Sequence, residues 1–179
     1  MITYPFDVTS EDATLALIDE SLAAFGRLDV WVCSSGLLGP ASIHDTTPDD
    51  LSRCFEAHSL APFFALKHAP AAMGKLTEGE WTYPNATPKR QKYGSVVVVS
   101  SVAGGYGGCW GPAYTMAAHA AMGVVRAGVK VLKGSGVRIN AVSPGQVDVG
   151  VDLEGVSLWA ACSKGKGQRW FRGVQEADW

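Results

Sequence analysis

Two hydroxyl side chains, Ser101 and Tyr114, have the residue types and the spacing for acid–base chemistry on a bound oxygen. They lie in the stretch SSVAGGYGGCWGPAY, where the serine follows an apolar run and the tyrosine opens a run that favours a helix. A tyrosine at the start of a helix serves as an acid or a base when a neighbouring group adjusts its pKa. The usual neighbour is a lysine at i+4 on the same helix face, and the residue at that position here is Ala118. An unperturbed tyrosine, with a pKa of about 10, is a poor base near neutral pH but already carries the proton that an acid donates.

The positions of these hydroxyls depend on strands and helices that alternate along the chain. A strand end in YPFD and apolar runs in LDVWVCSSG, GSVVVVSS and VRINAVSPG predict four strands. Residues at helical spacing predict the intervening helices: one from Ser10 to Gly26, two over about 48–73 that break near Pro62, and one over about 112–133. This alternation predicts an α/β fold with parallel strands and right-handed crossovers.

Three segments follow the carboxyl ends of the predicted strands, the edge at which folds of this kind bind ligands. These segments are 33–47, 100–113 and 143–158. Ser101 therefore lies at a strand end and Tyr114 at the start of the returning helix, where the two hydroxyls can converge. The long polar loop KLTEGEWTYPNATPKRQKYG instead joins a helix end to a strand start, so we expect it at the opposite edge of the sheet.

The composition is that of a globular protein and argues against several classes of function. Of the 179 residues, 47% are apolar and 18% are charged, and the net charge of −2 gives no attraction to nucleic acid or to a membrane surface. No apolar stretch approaches the ~20 residues that a bilayer-spanning helix requires. The four cysteines are scattered, which is typical of free, buried thiols in a reducing cytosol and predicts no metal site. We therefore expect a cytoplasmic protein.

Several motifs, taken together, resemble those of the short-chain dehydrogenase/reductase family. They are DVT near the start, FGRLDV with CSSG, the spacing of Ser101 and Tyr114, and VRINAVSPG. The resemblance covers roughly residues 5–155 and implies a Rossmann-like doubly wound parallel sheet, in a single partial domain over 1–155 followed by a divergent tail over 156–179. It also implies an oxidoreductase that uses NADP or NAD on the carbonyl or alcohol of a small metabolite.

The resemblance also implies roles for individual residues. Ser101 would hydrogen-bond the substrate oxygen, and Tyr114 would move the proton while hydride passes between the nicotinamide and the carbonyl carbon. Asp7 would hold the adenine amino group. The full set of positions implied for the cofactor is Asp7, Cys33, Ser34, Gly36, Tyr114, Pro144, Gly145 and Val147.

The chain also departs from the family pattern at several positions. Ala118 replaces a lysine, His58 replaces an asparagine of the middle helix, and Val149 replaces a threonine that touches the nicotinamide carboxamide. The glycine-rich turn that seats the pyrophosphate should precede Asp7, so we expect the sheet to be truncated at its N-terminal side.

These departures leave three interpretations open. The first is an active oxidoreductase, with Tyr114 as the proton donor and Ser101 as the oxygen-binding group. The second is a catalytically impaired relative that acts as a dimerising partner through the helices around 48–73 and 112–133, where the resemblance implies a homo-oligomer surface. The third is a truncated product without an independent function.

Overall fold

A three-stranded parallel sheet is the centre of the computed structural model, whose described residues are 2–77, 88–107 and 110–145. In chain order, which is also their spatial order, the strands are β1 (Val30–Cys33), β2 (Gly94–Val99) and β3 (Val137–Val142). The predicted α/β fold with parallel strands is confirmed. The predicted strand end in YPFD is wrong: residues 4–7 form no strand and lead directly into the turn before the first helix.

The first helix, α1 (Glu11–Phe25), begins and ends where the local residues predict. The Ser10 hydroxyl accepts a hydrogen bond from the main-chain nitrogen of Ala13 at 3.2 Å, which satisfies one of the free amides at the helix start. Gly26 ends the helix with a φ of 69°, a left-handed conformation that glycine adopts without strain. Its N–H donates to the main-chain oxygen of Leu22 at 2.7 Å.

The middle of the chain forms α2 (Pro48–Phe55), a π turn (Glu56–Leu60) and α3 (Ala61–Met73) in direct succession. Thr47 caps α2 through a reciprocal capping box with Asp50. The two predicted helices are found, and the α-helical pattern is interrupted directly before Pro62, but the chain stays helical there through the π turn. A proline lacks an N–H and its ring clashes with the carbonyl four residues earlier, so the turn before Pro62 widens instead of breaking.

A short 3₁₀ turn (Val102–Gly104) and the helix α4 (Pro112–Val131) connect β2 to β3. Pro112 occupies the first turn of α4, where the missing N–H of a proline has no helical partner to lose. Gly111, with a φ of 88°, precedes it and approaches the main chain at Pro40 too closely to admit a side chain. The loop after β1 and the start of α4 are therefore in contact.

The core lies between one face of the sheet and the helices α3 and α4. Successive side chains of a strand point to opposite faces, and those of Val96, Val98 and Ile139 on this face are at most 5% exposed. Val30 and Val32 point to the other face and are 56% and 55% exposed. In the described part of the chain, no helix is both long enough and apolar enough to cross a membrane.

The polar loop before β2 is described at its two ends. The main-chain nitrogen of Thr77 donates to the main-chain oxygen of Lys89 at 3.1 Å, and Lys89 Nζ donates to the main-chain oxygen of Leu28 at 2.9 Å. Leu28 precedes β1, so both ends of the loop lie at the amino ends of the strands, the edge predicted for them. Residues 78–87 lie outside the described part of the chain.

Candidate active site

Ser101 lies just beyond the carboxyl end of β2, at the start of the 3₁₀ turn. Its hydroxyl accepts a hydrogen bond from the main-chain nitrogen of Ala103 at 3.1 Å, and the residue is buried. The strand end is held beside β3, because the main-chain nitrogen of Ser100 donates to the oxygen of Val142 at 2.8 Å. Since Ser101 Oγ acts as an acceptor in this contact, its own proton remains available for an acceptor beyond the strand end.

Tyr114 is half-buried in the first turn of α4, the helix that packs against the 3₁₀ turn. The main-chain oxygen of Ala118 is the point of contact: Ser100 Oγ donates to it at 3.4 Å. Gly104 comes so close that a Cβ built on it would stand 2.8 Å from the same oxygen. Ser101 directly follows Ser100, and Tyr114 lies about one helical turn before Ala118, so this contact brings together the two segments that bear the hydroxyls.

The lysine expected one helical turn after Tyr114 is replaced by Ala118, and the next residue, His119, does not take its place. The Ala118 side chain is completely buried. His119, one residue further, is exposed, and its Nδ1 lies 2.9 Å from the main-chain oxygen of Thr115. The imidazole of His119 is thus held along the outer surface of α4, since one residue along a helix rotates a side chain by ~100°.

The ring packed against Tyr114 is the imidazole of His58, which lies in the π turn. The two ring centroids are 5.1 Å apart and the planes are at 89°, an edge-to-face arrangement. Burial lowers the pKa of His58, and a hydrogen bond donated to the main-chain oxygen of Leu37 would oppose this only in part, so the imidazole is neutral near pH 7. The sequence marks His58 only as a departure from the family pattern. The one feature of the sequence that points to the unusual position of His58 is Pro62, four residues later, because a proline there widens the preceding helical turn.

Of the three cofactor residues predicted at the end of β1 and just after it, two are exposed and one is buried. Ser34 and Gly36 are exposed. Cys33 points into the core, where burial raises the pKa of its thiol to about 12, so only its main chain is available to a ligand. The Ser35 hydroxyl donates to the main-chain oxygen of Ala57 at 2.8 Å and so anchors this segment to the π turn.

The segment after β3 places Pro144 and Gly145 at the same edge of the sheet. The main-chain oxygen of Pro144 accepts a hydrogen bond from Val102 N at 3.1 Å, which joins this segment to the 3₁₀ turn. Gly145 is exposed, and a Cβ on it would make an ordinary contact of 3.7 Å with Val102. Val147 lies outside the described residues, as does the predicted tail 156–179.

The Asp7 carboxylate is exposed and organises the turn before α1. Asp7 Oδ1 accepts hydrogen bonds from Thr9 Oγ1 at 2.7 Å and from the main-chain nitrogen of Thr9 at 2.8 Å. These two hydrogen bonds hold the pKa of Asp7 below its ordinary value, and the one from the Thr9 hydroxyl has the larger effect. The contacts described for this carboxylate are those of a turn, and its contact with adenine stays a prediction.

The exposed residues at the carboxyl edge suit a dinucleotide. Ser34 offers a hydroxyl, and Gly145 has no side chain to hold a ligand away from the main chain. Gly36 exposes its main chain, while His58 fills the space in which a Cβ would stand. The hydroxyls of Ser101 and Tyr114 lie on the neighbouring segments. Hydroxyl and main-chain groups hydrogen-bond sugars and amides. Among the described residues no three His, Cys, Asp or Glu side chains are grouped to hold a metal.

Known proteins match this chain over most of its length. A family model described as short chain dehydrogenase matches residues 1–155. Momilactone A synthase of Oryza sativa subsp. japonica is 31% identical over 143 residues, which are 79% of this chain and 47% of that protein. The solved structure of NAD+-bound xylitol dehydrogenase matches with a TM-score of 0.66 and 28% identity, over 79% of this chain and 49% of its own. The structure of ElxO with NADP bound matches with a TM-score of 0.65 and 25% identity, over 91% and 58% of the two chains.

The chain spans about half the length of the curated relatives it matches, 47% and 50% for two of them. The three parallel strands and the segments that bear Ser101 and Tyr114 all lie within the range that the family model matches. The chain therefore belongs to the short-chain dehydrogenase/reductase family.

Proposed function

We propose that this chain is an NAD(P)-dependent oxidoreductase that acts on the carbonyl or alcohol group of a small metabolite. One observation carries the proposal: the main-chain oxygen of Ala118 joins the turn that begins at Ser101 to the helix that bears Tyr114. Two hydroxyls beyond the carboxyl ends of parallel strands are suited to bind and protonate a substrate oxygen. The solved relatives support this choice of cofactor, since one holds NAD+ and another NADP.

In the proposed reduction, the substrate oxygen lies between the hydroxyls of Ser101 and Tyr114. A bound nicotinamide cofactor supplies the hydride. Ser101 donates a hydrogen bond to the oxygen as negative charge develops on it, because its Oγ is already held in place by the main-chain nitrogen of Ala103. Tyr114 transfers its phenolic proton to the same oxygen, which completes the alcohol, and then regains a proton from solvent.

The proposed direction is carbonyl reduction. Alcohol oxidation requires Tyr114 to begin as a phenolate, which the family pattern stabilises with a lysine one turn later. That position here is Ala118, whose side chain is completely buried and carries no charge. Donation of the phenolic proton to the substrate oxygen does not require a prior phenolate, so we propose reduction as the direction that depends less on the missing lysine.

The proposed cofactor contacts lie along the carboxyl edge and extend to the turn before α1. The exposed residues Ser34, Gly36 and Gly145 would face the cofactor, together with Pro144 and the main chain of Cys33. Asp7 would meet the adenine and Val147 the nicotinamide, as the family resemblance implies.

Titration of the purified chain with NADPH and NADH, followed by cofactor fluorescence, tests the proposal. We expect a Kd below about 1 mM for one of them, and no binding up to that concentration would contradict the proposed function. Tyr114→Phe should then lower kcat for the reduction of aldehydes and ketones by about 10²- to 10⁴-fold with little change in cofactor Kd. His119→Ala is the control, because it removes an exposed side chain from the same helix. Unchanged kcat in Tyr114→Phe would assign the proton to another group.

A second candidate, a dimerising partner with impaired catalysis, is favoured by a groove between α2 and α4. The groove encloses about 310 Å3 and is lined by Leu51, Ser52, Phe55, Glu56, Ala113, Met116 and Ala117. Phe55 and Met116 are 50% and 59% exposed, so a second copy of this surface could fill each groove with the other's apolar side chains. Sedimentation should show a dimer that Phe55→Glu dissociates and that Leu15→Glu, on α1, does not. A monomeric wild-type chain would contradict this candidate.

A further inference from the structure

We infer that His58 is a positioning residue, which holds the ring of Tyr114 and the segment after β1 in one fixed arrangement. The inference rests on the proposed function, in which Tyr114 donates the proton and the segment after β1 meets the cofactor. It gives a specific role to a side chain that differs from the asparagine of the family pattern.

The main chain places the imidazole between these two segments. His58 is the central residue of the π turn (Glu56–Leu60), four residues before Pro62. In a regular helix the ring of Pro62 would clash with the main-chain oxygen of His58, and the wider turn relieves this clash. His58 is only 7% exposed, so its side chain lies against neighbouring residues and not in solvent.

The first of these contacts is with Leu37. His58 Nε2 lies 3.0 Å from the main-chain nitrogen of Leu37 and 3.1 Å from its oxygen. The oxygen already accepts a hydrogen bond from Cys54 Sγ at 3.6 Å, whereas the N–H of Leu37 needs an acceptor. A neutral imidazole with its proton on Nδ1 supplies this acceptor, and burial favours the neutral form. Nε2 thus anchors the segment after β1 at Leu37.

The remainder of the ring is enclosed by Gly36 and Tyr114. A Cβ built on Gly36 would stand 2.8 Å from His58 Cε1, so the absence of a side chain lets the segment lie against the imidazole. On Tyr114, the edge-to-face contact at 5.1 Å restricts the orientation of the phenol. One ring thus makes two separate contacts: its Nε2 positions the cofactor-side segment, and its edge-to-face packing positions the proton donor.

Two variants separate the contacts of the ring. His58→Gln retains a hydrogen-bond acceptor for the N–H of Leu37 but removes the ring beside Tyr114. His58→Phe retains a ring and removes the acceptor. We expect kcat for carbonyl reduction to fall about 10- to 100-fold in His58→Gln, because a misplaced proton donor loses its alignment, and to change little in His58→Phe. We expect cofactor Kd to rise in His58→Phe and to change little in His58→Gln. Equal losses of kcat in the two variants would overturn the inference.

A measurement on the free protein separates this inference from the proposed function. The chain is labelled with 3-fluorotyrosine, and the ¹⁹F resonance of Tyr114 is assigned by its loss in Tyr114→Phe. We expect this resonance to shift in His58→Gln and in Gly36→Ala, which crowds the imidazole, and to stay in place in Gly107→Ala, whose added Cβ has no described atom within 4 Å. Circular dichroism verifies that each variant is folded.

The two hypotheses then fail in different ways. An unchanged Tyr114 resonance in both His58→Gln and Gly36→Ala overturns the positioning role, whatever the activity. A shifted resonance in a chain that binds no cofactor supports the positioning role of His58 and contradicts the proposed function.

Discussion

Lys89 Nζ lies 3.0 Å from Asp29 Oδ1, and the lysine side chain is completely buried. The same nitrogen donates to the main-chain oxygen of Leu28 at 2.9 Å and lies 4.4 Å from the centroid of the Tyr93 ring. Arg27 also pairs with Asp29, so one carboxylate holds two cations at the amino end of β1. This network ties the end of the polar loop that leads into β2 to the sheet, at the edge opposite the candidate active site.

Asp29→Asn is expected to destabilise the fold more than Lys89→Met. Loss of the carboxylate leaves the Lys89 cation buried without its counter-ion, and breaking a buried pair in this way costs about 3 kcal/mol or more. In Lys89→Met an apolar chain of similar length replaces the cation, and Asp29 keeps its ion pair with Arg27. The Leu28 oxygen loses one hydrogen-bond donor, so we expect a loss of about 1–3 kcal/mol in the free energy of unfolding. Urea unfolding followed by circular dichroism measures both free energies. The opposite order would show that the Leu28 oxygen and the Tyr93 ring, and not Asp29, are the main partners of the buried ammonium.

The same carboxylate predicts a loss of stability in acid. The hydrogen bond from Arg27, and then that from Lys89, hold the pKa of Asp29 below its ordinary value against the opposing effect of burial. A carboxyl group whose pKa is lower in the folded state stabilises the fold above its unfolded value of about 3.9, and this contribution is lost as the pH falls through the folded pKa. The stability difference between wild type and Asp29→Asn should therefore be constant near neutral pH and shrink below about pH 4. A difference that widens in acid would contradict this assignment.

Gly111 allows backbone strain and crowding to be measured separately at the active-site edge. Gly111 and Gly134 have similar φ angles, 88° and 82°, but a Cβ on Gly111 would overlap the oxygen of Pro40, whereas one on Gly134 has no described atom within 4 Å. Gly134→Ala should cost about 1–2 kcal/mol for the left-handed conformation alone. Gly111→Ala should cost clearly more, because the main chain at Pro40 must move. Equal losses in chemical denaturation would mean that the loop yields without cost.

The features that were predictable from the sequence are those that depend on neighbouring residues. Ser10, Thr47 and Gly26 act as helix caps because a side chain or a φ angle satisfies main-chain groups a few residues away. The β-branched run of β2 is typical of a strand in a parallel sheet, and β2 pairs in parallel with β1 on one side and β3 on the other. The same run predicts burial on both faces, yet Val97 and Val99 are only half-buried, because the described helices α3 and α4 both cover the opposite face.

The contacts of His58 were not predictable in the same way. Its meeting with Tyr114 joins two residues far apart in the sequence, and it depends on how α4 packs against the π turn. A break near Pro62 is the ordinary expectation for a proline in a helical pattern, and only the packed structure shows that the turn widens instead. The roles of Ser101 and Tyr114 and of the cofactor residues remain predictions that kinetics and titration must test.

Ala118→Lys introduces the lysine of the family pattern at a position that the structure has filled. The Ala118 side chain is completely buried, so the longer chain must displace its neighbours, at about 1–3 kcal/mol. Ala118→Met is the matched control, because it has a similar length and no charge. Burial lowers the pKa of a lysine, so the extra loss in Ala118→Lys should be greatest near neutral pH and shrink as the pH approaches about 10. Stability equal to that of Ala118→Met at neutral pH would show that the ammonium reaches solvent.

The thiol of Cys33 is expected to resist modification in the folded protein. Its pKa of about 12 reflects burial in the core, and Cys54 is completely buried with its pKa also raised by burial. Because the thiolate is the reactive form, at pH 8 Cys33 should react with Ellman's reagent at least about 10³-fold more slowly than an exposed cysteine. A chain carrying Cys109→Ser and Cys162→Ser leaves these two thiols alone, and both should appear only in denaturant. A fast-reacting thiol in the folded chain that disappears in a further Cys33→Ser variant would show that β1, at the edge of the described sheet, opens without global unfolding.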